Sequence, residues 1–344
     1  MLSPKITYLV ARSHGLKSHL LKSELLVRML RTKNIAEVYD ILHTTDYSAD
    51  FARFSLGELD AVKLERIFQG ALSRRVYATV EMASGQTKEL LEEYSRRIEA
   101  DNLKRVVRAI HGEQNLSEEQ LIPVPRKYQT VNFSALLQCH AFGEMTELLK
   151  DSNYRNVAES LDDYAKLKNP LVIEAQLDKS AFGKLWKKLA KAPSKGKLKD
   201  LFGTEIDLRN LLNILSLKYT GASQEIIEKT IVDIGYRIPR AFAQKLSGVP
   251  YQSMADLVSW PSYANVVRSA ADYASKGMLG EEENAFLGYI YSDAEKIALR
   301  NPNDLVYVFA YLQLCFKEAK NMATLTVGKQ LKLDEAKIES LILL

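Results

Sequence analysis

At nearly equal steps along this chain, three pairs set an acid three residues ahead of an asparagine: Glu99 and Asn102, Asp207 and Asn210, Glu318 and Asn321. On a helix, positions i and i+3 share a face, so each pair would present a carboxylate beside a carboxamide. Six such groups converging on one axis would suit a bound cation, and a positioned carboxylate can serve as general acid or base. The pattern is loose by itself. Its weight comes from periodicity: the asparagines recur at nearly equal steps, each followed at once by an apolar residue, Leu103, Leu211 or Met322. Repeats encode packing first, and buried polar groups need partners. The preferred reading is therefore a cap or cross-bond between neighbouring helices rather than metal or acid–base chemistry.

A second phrase keeps the same step. It ends in Tyr47, Tyr154 and Tyr263, each following an apolar triplet nine, six and five positions upstream. The triplets are Val38, Ile41 and Leu42; Met145, Leu148 and Leu149; Met254, Leu257 and Val258. The interval from tyrosine to the next acid is also nearly constant, from Tyr47 to Glu99, from Tyr154 to Asp207 and from Tyr263 to Glu318. The triplets read as core, and the tyrosine as a ring wedged under a turn with its hydroxyl bonded. Two phrases in one register divide the chain into three copies of a helical unit, residues 1–116, 117–222 and 223–344.

The elements that must carry these residues are helical throughout. Apolar spacing predicts helices over 9–30, 35–42, 56–80 and 86–111, the last closed by Gly112. In the second copy it predicts 133–149, 157–167 and 174–190, then a helix ending near Gly221 that holds Asp207 and Asn210. Ser223 caps the start of the third copy, 281–299 forms a long helix, and Asp304 caps the helix bearing Glu318 and Asn321. The apolar run 305–316 suits a buried helix and is too short to span a bilayer. A terminal helix over 331–344 is capped by Asp334. No period-two run occurs, so the fold class is all-α, three similar helical bundles.

Other chemistry is not found. Gly183-Lys184, Gly196-Lys197 and Gly328-Lys329 lack the earlier glycine and following hydroxyl of a phosphate-cradling loop, and no nucleophile elbow or zinc-binding His-Glu-x-x-His occurs. No catalytic, cofactor-binding or metal residue is assigned. Cys139 and Cys315 lie in different copies and read as reduced core thiols, and His14 and His19 as surface residues. A charge of +4 on 47 basic and 43 acidic residues lacks the excess of a dedicated DNA binder. One stretch is strongly basic, with lysines at 187, 188, 191, 195, 197 and 199. It reads as a solvated linker; as the alternative, it would make this a helical repeat protein binding nucleic acid. The N-terminus shows no charged leader with an apolar core, so a protein without signal peptide is expected.

With both phrases in hand, the chain resembles the C subunit of the archaeal and bacterial V/A-type rotary ATP synthases, whose eukaryotic equivalent is the d subunit of vacuolar ATPases. The resemblance runs from Tyr8-Leu-Val-Ala-Arg12 and Leu20-Leu21 through the Tyr47 phrase, Glu99-x-x-Asn102-Leu103 and Ile206-Asp207-x-x-Asn210-Leu211. It continues through Ile234-Gly235-Tyr236, Tyr311 and Lys317-Glu318-x-x-Asn321, and closes with Gly328-Lys329 and Asp334 to Ile338. Ala323 and Ser216 depart from it, standing where the family usually carries arginine. The resemblance implies a funnel of three bundles around a pseudo-threefold axis. That funnel would take the tip of the central shaft and rest on the cytoplasmic loops of a membrane ring of small hydrophobic subunits. It implies a torque-passing rotor part of a proton- or sodium-translocating ATP synthase, peripheral on the cytoplasmic face of the membrane. No catalysis, cofactor or membrane span of its own is implied. The nine signature residues would then serve packing and line the socket: Tyr47, Glu99, Asn102, Tyr154, Asp207, Asn210, Tyr263, Glu318 and Asn321.

Overall fold

The computed structural model describes residues 3–343 and is all-α, with no strand among the described residues. Its helices, in chain order, are α1 (Pro4–Ser18), α2 (Ser23–Leu30), α3 (Ile35–Leu42), α4 (Ser48–Phe51), α5 (Ala61–Met82) and α6 (Gly85–His111). Then follow α7 (Phe133–Leu136), α8 (Phe142–Leu149), α9 (Leu161–Leu167), α10 (Leu171–Leu189), α11 (Lys195–Tyr219) and α12 (Gln224–Thr230). The last six are α13 (Arg240–Ser247), α14 (Met254–Leu257), α15 (Pro261–Ser275), α16 (Leu279–Arg300), α17 (Leu305–Gln330) and α18 (Glu335–Leu341).

Local chemistry sets many of the starts. Ser3 caps α1, with Pro4 at its first position, where a missing N–H costs nothing. Asn34 caps α3, Asp60 caps α5, Ser223 caps α12 and Asp304 caps α17, each side chain accepting a first-turn N–H. Asp334 precedes α18 without such a bond.

Three expected helices are interrupted. The 9–30 pattern breaks between α1 and α2 because Leu21 gives its backbone N–H to the Glu318 carboxylate instead of to the helix ladder. The 133–149 pattern breaks after α7, and α8 restarts with Glu144 accepting from the N–H groups of His140 and Ala141. The 157–167 stretch begins as a tight 3₁₀ turn, Arg155–Ser160, before α9. The expected basic linker is also shorter than its lysine spacing suggests, since α11 starts at Lys195 and takes in the last three lysines.

The chain forms two compact units, Met1–Ser84 with Tyr291–Leu344, and Gly85–Ile290. In the first, α5 lies along α17, which α1, α3 and α18 also touch. Every residue of α17 from Leu305 to Phe316 is buried, as its apolar run requires. Gly328 lies where α18 crosses α17: a Cβ there would come within 2.8 Å of the Ile338 side chain. In the second unit α6 lies along α10, and α11 packs on α10, α12, α13 and α15. The first unit holds one acid–asparagine helix, α17, and the second holds the other two, α6 and α11.

Candidate functional site

All nine signature residues are buried, none more than 7% exposed. They form three sets built alike. In each set the asparagine clamps one residue of a passing segment through both backbone groups. Asn102 gives its Nδ2 to the Ile122 carbonyl and takes the Ile122 N–H on Oδ1, both at 2.8 Å. Asn210 does the same to Val232, at 2.9 Å each way. Asn321 does so to Leu343, at 2.8 and 2.7 Å. One side chain thereby satisfies two buried backbone groups, each of which would cost about 1–3 kcal/mol unpaired.

Two of the acids collect donors from the chain beyond their clamps, and the third from segments far earlier in the chain. Glu99 accepts the Thr130 N–H at 2.7 Å and its hydroxyl at 2.5 Å. Asp207 accepts the N–H groups of Arg237 and Ile238 at 3.0 and 3.2 Å. Glu318 accepts the Leu21 N–H at 2.5 Å, and the Arg75 guanidinium lies 2.6 Å from its other oxygen. Each tyrosine hydroxyl then reaches an acid: Tyr154 to Glu99 at 3.4 Å, Tyr263 to Asp207 at 3.4 Å, Tyr47 to Glu318 at 2.7 Å. Tyr154 and Tyr263 therefore bond the acid that precedes them in the chain, not the one that follows. Tyr47 instead bonds Glu318, so the third set joins residues far apart in the chain.

Electrostatics separate the sets. Burial pushes the Asp207 carboxyl up to about 7, against the pull of two N–H donors and Arg237. Burial, reinforced by the adjacent carboxylate, also raises the hydroxyls of Tyr47, Tyr154 and Tyr263 above the ordinary tyrosine range. Glu205, one turn before Arg209 on α11, shows the opposite balance. Burial alone would raise it, but the guanidiniums of Arg97 at 2.8 Å and Arg209 at 3.1 Å override that and hold it low. These groups find their hydrogen-bond partners within the protein, as buried polar groups require. Among the described residues no cluster of three His, Cys, Asp or Glu side chains is placed to hold a metal ion, and no helix is long and apolar enough to cross a membrane.

Further correspondences follow the same register. Lys218 on α11 and Lys329 on α17 are separated by the same interval as Asn210 and Asn321. Each sends its ammonium to backbone carbonyls at the end of a short helix. Lys218 reaches Ser247 of α13 at 2.5 Å; Lys329 reaches Leu30 of α2 and Thr32 just beyond it, both at 2.6 Å.

The family described as ATP synthase (C/AC39) subunit matches residues 9–341 of this sequence. The chain belongs to that family. It is similar to the C subunit of the A-type ATP synthase of Methanocaldococcus jannaschii, 23% identical, over 98% of this chain and 86% of that protein. The corresponding C subunits of Methanosarcina mazei and Methanococcoides burtonii are 23% and 24% identical, over 98% and 97% of this chain and 92% of each relative.

The departures from the family pattern now have surroundings. Ser216, six residues after Asn210, gives its hydroxyl to Glu282 at 2.7 Å; Ala323 is half-buried on α17. Arg75 and Thr130 were not visible as partners in the sequence, since each joins its acid through packing and neither stands in a shared phrase. Cys315 is a buried free thiol, as expected, whereas Cys139 is only half-buried. His14 and His19 are exposed; His14 stacks on Tyr307 at 3.9 Å and His19 pairs with Asp46 at 3.0 Å. In the basic stretch Lys188 lies 3.7 Å from Glu93, and Lys199 lies over the Trp186 ring at 5.5 Å.

Proposed function

We propose that this chain is the coupling subunit in the rotor of an A-type ATP synthase. It seats the end of the central shaft, rests on the cytoplasmic loops of the membrane ring of small hydrophobic subunits, and passes torque between them without chemistry of its own. The observation that carries this reading is the fate of the repeated polar residues. In a family member matched over residues 9–341, the acids and asparagines that looked reactive are each consumed in an internal clamp. A part that transmits torque must resist deformation. Buried, fully bonded polar sets confer that resistance by fixing one arrangement of the segments they join. Three copies of one unit over 1–116, 117–222 and 223–344, bonded each to the next through the tyrosines, belong to the same proposal, as does a position on the cytoplasmic face of the membrane.

The test is reconstitution. Vesicles carrying the synthase stripped of this chain should still hydrolyse ATP at the detached head but pump no ions, and adding the purified chain should restore ATP-driven pumping. Full pumping without the chain, or ATP hydrolysis by the purified chain alone, would refute the proposal.

A further inference from the structure

The connections that lead into the three acid–asparagine helices differ in charge. Before α6 the connection is Ala83-Ser84, uncharged; before α17 it runs from Asn301 to Asp304, and Asp304 caps the helix. Before α11 it runs from Ala190 to Ser194, and lysines crowd it from both sides. From Lys179 to Lys199 the chain carries eight lysines and no arginine, aspartate or glutamate. Neither of the other two connections holds a lysine, so helix packing does not require lysine here.

Part of this charge is used inside the protein. Lys179 donates to the Lys229 carbonyl at 3.3 Å, Lys184 to the Asn153 side chain, and Lys188 pairs with Glu93 at 3.7 Å. Lys199 lies over the Trp186 ring at 5.5 Å. Lys187, Lys191 and Lys195 are different: they are exposed, and among the described residues their side chains have no hydrogen-bond or ion-pair partner. Lys195 also opens α11, whose first turn holds no acid, although a cation is disfavoured at the positive end of a helix. Asp200, the first acid beyond the stretch, accepts the Tyr236 hydroxyl at 2.9 Å. The turn therefore gathers positive charge that the stretch itself does not balance.

We infer that the turn between α10 and α11 rests on anionic phospholipid headgroups, with Lys187, Lys191 and Lys195 as the principal contacts. The composition of the patch selects lipid over the other polyanions. Protein interfaces are poor in lysine and rich in arginine and aromatic residues; this stretch has no arginine, Phe182 is buried and Trp186 lies under Lys199. Single-stranded nucleic acid needs open rings on which its bases stack, and those same two rings are not open. A bilayer needs only mobile point charges, and each lysine near an anionic surface adds to the attraction. The inference rests on the reading of the chain as a peripheral part on the membrane face.

Phosphatidylglycerol carrying a photoreactive group beside its phosphate, mixed into vesicles of the reconstituted synthase, tests it. Illumination followed by peptide mass spectrometry should label residues 187–197. Labelling there should fall by about tenfold or more when Lys187→Gln, Lys191→Gln and Lys195→Gln are combined. Removing the same charge from the exposed Lys5, Lys245 and Lys296 should leave it unchanged, and since all six side chains are exposed both triple variants should fold. The purified chain should also sediment with phosphatidylglycerol vesicles and not with phosphatidylcholine alone, roughly fivefold more weakly for each of the three lysines removed. No label in residues 187–197, equal losses in the two triple variants, or capture of an RNA oligomer in preference to the vesicles would overturn the inference and leave the coupling role standing. A chain that never enters the synthase would overturn both.

Discussion

Around α6 and around α11 the chain makes the same bonds with different charges. The asparagine clamps measure 2.8 Å on α6 and 2.9 Å on α11, and the two tyrosine contacts are both 3.4 Å. Six residues after Asn102, Arg108 grips Glu174 with two bonds of 2.8 Å. Six residues after Asn210, Ser216 offers Glu282 a single hydroxyl, although Glu174 and Glu282 are separated by the same interval as the two asparagines. Burial then governs the α11 region: Glu282 is 1% exposed and its carboxyl is pushed up, as is that of Asp207. Helix register fixes where the groups meet, whereas the compensation of buried charge is settled separately at each joint.

The sharpest way to break that distinction is in the third set, where a cation does the compensating. Arg75 is mostly buried against the buried Glu318 and Tyr47, so Arg75→Met leaves a carboxylate without its cation. Urea unfolding should show a loss of up to about 5 kcal/mol. A change below about 1 kcal/mol, the scale of an exposed pair, would mean that the guanidinium does not balance this joint.

Next in size is a pH effect confined to the α11 region. An unfolded Asp207 carboxyl loses its proton near 3.8 and the folded one only near 7. Between those values the folded state holds more protons, so stability falls as pH rises, by roughly 4 kcal/mol in total, and is flat on either side. The raised Glu282 adds to the fall with the same sign. Denaturant melts between pH 4 and 8 should show this slope shrink in Asp207→Asn and again when Glu282→Gln is added; an unchanged slope would contradict the assignment.

How far the sequence alone reached follows from the range of each interaction. Asn102, Asn210 and Asn321 were legible because a repeat fixes what stands at each step, and the all-α class because helical spacing is a local signal. The breaks at Leu21 and after Leu136 were not, since each is imposed by a bond or a turn that outweighs apolar periodicity. Arg75 lies 243 residues from Glu318, and nothing local joins them. The tyrosines were found with a bonded hydroxyl expected, but not the partner of each, because spacing gives a period and not a contact.

A smaller test exchanges the two regions. Arg108→Ser should cost about 1 kcal/mol, a modest figure because the Arg108 side chain is 67% exposed. Ser216→Arg should add a cation beside Glu282 and flatten the pH dependence further, read in the same melts. Smallest of all, Tyr263→Phe should cost about 0.5–1.5 kcal/mol for a long neutral hydrogen bond.

The claim beneath these comparisons is that each asparagine is a mechanical clamp on one backbone residue, and native-state hydrogen exchange reads it directly. The amides of Ile122, Val232 and Leu343 should exchange slowly in the intact protein, and Asn321→Ala should release Leu343 and its neighbours while Ile122 and Val232 stay protected. Rapid exchange at Leu343 before any substitution, or equal loss of protection at all three, would contradict it.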